Sequence, residues 1–148
     1  MKKIIIFLSF FVILFSQNKL IYDPTLNPFK QLNKAAIQAK KDNKNILMIV
    51  GGDWCPWCRR IAKLIEEDNE IKNAISNYVV LKIHYSKQNK NTEFLSNFPK
   101  IDGYPHIFIL DKNKKLIHSQ NTGELESDGG YDKEKFLTFL KKFSKGSQ

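Results

Sequence analysis

Five consecutive apolar residues, Ile46 to Val50, are stopped by Gly51-Gly52-Asp53 and followed at once by Trp54-Cys55-Pro56-Trp57-Cys58. An unbroken run of that length reads as a strand buried on both faces. Pro56 cannot serve in a sheet ladder, but it suits the first position of a helix, where the missing amide hydrogen has no partner to lose. Ile61, Leu64 and Ile65 then recur on one helical face. The two cysteines, the only two in the chain, therefore stand at a strand-to-helix turn.

The rest of the chain is ordered around that turn. Residues 18–28 hold Pro24 and Pro28 and read as an irregular lead-in. Phe29, Leu32, Ala36, Ile37 and Ala39 mark a helix from Phe29 to about Asn43. A second short helix is expected over about Glu70 to Ser76, a strand over Tyr78 to Tyr85 and a short helix over Thr92 to Phe98. Gly103-Tyr104-Pro105 is a turn signal. It leads into a hairpin of His106 to Leu110 and Lys115 to Gln120. Asn121 to Gly130 reads as a loop, and Asp132 as the N-cap of a last helix burying Phe136, Leu137, Leu140 and Phe143. This order implies an α/β fold, with a mixed sheet of four to five strands and helices on both faces. The length, 148 residues, suits one domain.

Met1-Lys2-Lys3 and the apolar stretch Ile4 to Phe15 have the form of an export signal. Its 12 apolar residues span about 18 Å as a helix, short of a hydrocarbon core of about 30 Å. Residues 1–16 are thus expected to be a signal peptide or, uncleaved, an anchor; 17–28 the lead-in; and 29–148 the domain. Either form puts the body of the chain in the periplasm or outside the cell, where thiols can be oxidised. The net charge is +9. Its lysines are interspersed with acids, as in Asp132-Lys133-Glu134-Lys135, and no nucleic-acid-binding motif accompanies them, so a solvated basic surface is expected.

The cysteine pair carries the chemistry. A helix N-terminus has unpaired amides and the positive end of the helix dipole, so a thiolate at Cys55 is favoured there. Cys58, one turn on, is placed to attack a disulfide formed at Cys55. A purely stabilising disulfide is a poor use of this spacing. Closing four residues is worth about 1.9 kcal/mol, against about 3 kcal/mol for a 15-residue loop. A zinc site lacks ligands: His84, His106 and His118 are spaced 22 and 12 apart, not the 3–5 of a paired set. No metal or organic cofactor is expected.

These residues resemble the thioredoxin fold, in particular exported bacterial thioredoxin-like proteins, over about residues 29–143. The likeness rests on Trp54-Cys55-Pro56-Trp57-Cys58 and on Gly103-Tyr104-Pro105 some 50 residues later. It implies that Pro105 is cis and packs beside the cysteines, and that the Tyr104 backbone pairs with substrate. Trp54 and Trp57 would border the substrate groove. Pro56, Lys82 and His106 are candidates for tuning the thiols. For Lys82 a strand-edge position facing water is an equal alternative, and for His106 a structural role is favoured. One departure stands out. Cytoplasmic thioredoxins carry a buried acid six residues before the first cysteine, and here that position is Ile49.

The function expected is thiol–disulfide exchange on protein disulfides or thiols, with Cys55 as nucleophile and Cys58 resolving. The chain would act as a monomer and be recycled by a membrane redox partner. Reduction is the preferred direction, because Glu70 to Thr92 leaves no room for the helical insertion of the oxidants. The alternatives are a disulfide donor using the same site, and a binding module whose cysteines are idle.

Overall fold

The computed structural model describes residues 20–144, so the expected export segment, 1–16, lies outside the described residues. The first helix, α1 (Pro28–Asp42), starts at Asn27, whose side chain accepts from the Lys30 amide, and stops at Asn43 in the left-handed region (φ 52°). Its buried stripe is Pro28, Leu32, Ala35, Ala36 and Ala39. Ile37, expected on that stripe, is 71% exposed. It lies one position off the three-and-four spacing that faces the sheet.

Strand β1 (Asn45–Gly51) is buried along its whole length. It lies between β2 (Tyr78–His84), which it pairs in parallel, and β3 (His106–Leu110), which it pairs antiparallel. The last strand of the sheet, β4 (Leu116–Asn121), pairs antiparallel with β3. The sheet order is β2-β1-β3-β4, the mixed four-stranded arrangement the sequence implies. The parallel step is crossed by α2 (Pro56–Glu67) and α3 (Asn69–Ile75), joined at Asp68, whose carboxylate accepts from the amides of Glu70 and Ile71. The short α4 (Thr92–Leu95) precedes β3.

Two cores result, one per face of the sheet. Leu32, Ala36, Met48, Ile83, Phe94 and Phe108 pack on the α1 side. On the other side α2, α3 and the final helix α5 (Lys133–Phe143) cover Leu47, Ile49, Ile107 and Ile109, and both cysteines belong to this second core. Asp132 caps α5 by accepting from the Lys135 amide. Its buried residues are Phe136, Leu137, Phe139 and Leu140. Phe143 is only half-buried and stacks on His118 at 4.4 Å, while Phe139 takes the core position expected of it.

The expected loop of 121–130 is more structured than its glycines suggest. It holds one 3-10 turn (Thr122–Leu125) and a two-residue hairpin, β5 (Glu126–Ser127) with β6 (Gly130–Tyr131). Of the expected lead-in, residues 20–27 are irregular and Pro28 already belongs to α1, yet Tyr22 is among the most deeply buried side chains and joins the cysteine core.

Candidate active site

Cys55 is the N-cap of α2. Its sulfur accepts from the Cys58 amide at 3.3 Å, and Pro56 occupies the first helical turn. The strand-to-helix turn thus puts a sulfur where the helix offers an unpaired amide and positive potential. Both cysteines are free thiols and both are buried. They are not equivalent. Burial pushes the Cys58 thiol up to about 12, and its hydrogen bond to Cys55 pushes the same way, against the Gly52 amide and the Tyr22 hydroxyl, which pull it down. Cys58 therefore rests as a protonated thiol at neutral pH.

The turn before β3 closes the site from the other side. The Tyr104–Pro105 bond is cis, and the Cys55 thiol donates to the Tyr104 carbonyl at 3.4 Å. The Thr122 hydroxyl, from the 3-10 turn, donates to the Pro105 carbonyl at 2.6 Å and ties that loop to the site. The Tyr104 ring stacks on Tyr85 (4.2 Å) and meets the edge of Trp54 (6.1 Å). Trp54 is 53% exposed and is pinned by its indole N–H, which donates to the Tyr85 carbonyl at 2.7 Å. Trp57 is edge-on to Tyr131, with the Arg60 guanidinium 4.4 Å from its ring centre. The two tryptophans therefore have different aromatic partners, Tyr104 for Trp54 and Tyr131 for Trp57.

The tuning candidates divide. Lys82 pairs with Ile49 and lines a hollow with Ile21, Arg59 and Ala62 on the cysteine side of the sheet. His106 faces the other way. It alternates with Ile107, contacts Phe108 (4.7 Å) and shares a 2.9 Å hydrogen bond with Ser119 on β4. Burial lowers its pKa, with Asp102 opposing and His118 assisting. Arg59, whose charge lies near Cys55 in sequence, donates instead to the Asp53 carbonyl at 2.7 Å.

Sequence reading missed Tyr22, Tyr85, Thr122 and Tyr131. All four are brought in from segments with no motif, and Tyr85 alone lay within an expected strand. Asp53, in the loop before Trp54, is half-buried and accepts from the amides of Ile21 (3.1 Å) and Tyr22 (3.0 Å). Among the described residues no cluster of side chains suits a metal ion.

A family profile described as thioredoxin-like matches residues 27–112, more than half of the chain. The chain belongs to the thioredoxin-like family. It is 26% identical over 77 residues to the thiol:disulfide interchange protein DsbD of Haemophilus influenzae, a match that covers 51% of this chain and only 13% of that protein. A crystal structure of a disulphide isomerase from Xylella fastidiosa superposes with a TM-score of 0.70 and 26% identity, covering 84% of this chain and 97% of that one. The C-terminal domain of Neisseria meningitidis DsbD in its oxidised form shares the fold at a TM-score of 0.61 and 15% identity, covering 79% and 96% of the two chains.

Proposed function

We propose that this thioredoxin-like chain is a thiol–disulfide oxidoreductase that reduces disulfides of proteins outside the cytoplasm. The observation that carries it is the asymmetric pair: Cys55 sits on the α2 amide beside the Tyr104 carbonyl and cis Pro105, and Cys58 lies protonated behind it. The Cys55 thiolate attacks a substrate disulfide, one substrate sulfur leaves and takes a proton, and a mixed disulfide forms. Cys58 loses its proton and attacks the Cys55 sulfur. The bond to substrate breaks, the second substrate thiol leaves protonated, and the chain holds a Cys55–Cys58 disulfide. Backbone groups of Tyr104 receive the extended substrate, and Trp54 and Trp57 flank it.

On this reading residues 1–16 direct export or anchor the chain, 29–148 form the working domain, the protein acts as a monomer, and a membrane redox partner returns electrons to the pair. The relatedness to an interchange protein and a disulphide isomerase supports the exchange chemistry. Among the described residues no helix is long and apolar enough to cross a membrane. The test is the reduction potential of the purified protein. A value near about −270 mV agrees with a reductant, and one near about −120 mV makes the chain a disulfide donor. If no reversible two-electron couple is found, and Cys55→Ser with Cys58→Ser leaves partner binding intact, the chain is a binding module.

A further inference from the structure

The resolving step needs a thiolate at the most buried sulfur of the site, and β1 offers no acid to help: Ile49, which faces the cysteine core, is buried and apolar. The polar group that reaches Cys58 comes from outside the helix–strand framework. Tyr22 is 1% exposed although it lies in an irregular segment. Asp53 accepts from the amides of Ile21 and Tyr22, so the loop that presents the cysteines also fixes the tyrosine. Gly51, at the end of β1, leaves the space in which they meet. A methyl group there would stand 2.6 Å from the Cys58 sulfur and 3.1 Å from both the ring carbon bearing the Tyr22 hydroxyl and the hydroxyl itself. Phenol and thiol thus converge on the one point of β1 that lacks a side chain.

We propose that the Tyr22 hydroxyl is the hydrogen-bond donor that carries the Cys58 thiolate through the resolving step. The assignment rests on the oxidoreductase reading above and goes beyond it, because it names the group that makes a buried thiolate attainable. Burial, and then the cysteine charges, hold the phenol protonated well above its ordinary range, so it serves as a donor and never as a base. The other polar groups facing Cys58 are the Gly52 amide and Cys55 at the start of α2, with Tyr131 from β6 coupled to both cysteine charges. Lys82 of β2 lies on this same side of the sheet, in a hollow lined by Ile21 and Arg59. α3, α5 and β3 present apolar residues to this core. The step balances without a further reagent. The Cys58 proton passes to solvent, its sulfur bonds to Cys55, the Cys55–substrate bond breaks, and the departing substrate sulfur takes up a proton.

A chromogenic aromatic disulfide separates the two steps, since one coloured thiol is released when Cys55 attacks and the second when Cys58 resolves. In the full-length protein Tyr22→Phe should leave the first release unchanged and slow the second roughly tenfold at neutral pH. The pH midpoint of the second release should move up, and alkaline buffer should restore its rate. Tyr78→Phe removes another buried phenol, bonded to the Leu140 carbonyl, and should alter neither release. A fluorinated tyrosine at position 22, a stronger donor of the same shape, should accelerate the second release, and it remains informative if the phenylalanine variant folds poorly. Unchanged second-release rates and pH midpoints in both Tyr22 variants would overturn the assignment. Absence of the second release in the unmodified protein would instead remove the oxidoreductase reading, and this donor role with it.

Discussion

At the scale of single residues, the site is built around two glycines that leave no room for a side chain. A side chain at Gly51 collides with the Cys58 sulfur, and one at Gly52 comes within 2.6 Å of the Tyr85 carbonyl and closer still to the Trp54 indole. Those neighbours have little room to yield, since Cys58 and Tyr22 are fully buried and Trp54 is held by its hydrogen bond. Gly51→Ala should therefore cost about 1–3 kcal/mol through overpacking and slow resolution by driving the Tyr22 phenol from the sulfur. Gly130→Ala meets nothing within 4 Å and should stay within about 0.5 kcal/mol of the parent. Urea midpoints of the two variants check the pair, and equal midpoints would contradict the close packing at Gly51. The same reasoning explains why the motif residues are unequal. Cys55, Pro56 and Cys58 are set by the helix start they occupy, whereas Trp54 depends on a glycine and a carbonyl contributed by neighbouring segments.

At the scale of elements, the lead-in acts as a strap across the end of β1 and the start of α2. Asp53 clamps it to that turn by receiving the backbone amides of Ile21 and Tyr22. Asp53→Ala should release the strap while leaving the sheet intact. Amide exchange at Ile21 and Tyr22 should quicken by roughly tenfold or more, and the second thiol release should slow as in Tyr22→Phe. Protection at those two amides equal to the parent's would show that packing alone holds the segment. The strap also shows where sequence reading reaches its limit. The helices and the four sheet strands were legible because their signals are local: Asp132 caps a helix within three residues, and Ile46 to Val50 is apolar without a gap. The cis Tyr104–Pro105 bond was legible only through family likeness. Tyr22 reaches its partners from about thirty positions away through a segment with no period, so nothing in its neighbours marks it as core. β5 and β6, at two residues each, are too short to show alternation. Within α5, Phe139 and Phe143 both fit a helical stripe, but Phe143 is the last residue of the helix and stacks on His118 at the margin of the core.

At the scale of the whole molecule, the sheet separates a quiet side from a reactive one. The α1 side is closed by aliphatic and phenylalanine packing, and His106 is bound there by Ser119. The α2 side has both cysteines, and burial there opposes the ionisation of Cys58 and of four tyrosines, Tyr22, Tyr78, Tyr104 and Tyr131. Stability should therefore respond to alkali through that side. For Cys58 the folded-state value of about 12 stands above the ordinary value of 9.0, so the folded protein binds more protons than the unfolded chain between them. Its contribution is complete below about pH 9 and is lost as pH rises toward about 12. The tyrosines add to the loss at higher pH. Their share is the same whether or not Cys58 is present, apart from the part of the Tyr22 and Tyr131 shifts that the Cys58 charge itself causes. The reduced parent should then lose stability with a steeper slope than Cys58→Ser across this window, by up to about one proton's worth per pH unit. Cys55→Ser should retain most of the steep limb. Chemical denaturation of the three reduced proteins from neutral pH upward measures it. Parallel curves for the parent and Cys58→Ser would mean that the buried sulfur ionises as easily folded as unfolded, and the division of labour between the two cysteines would lose its physical basis.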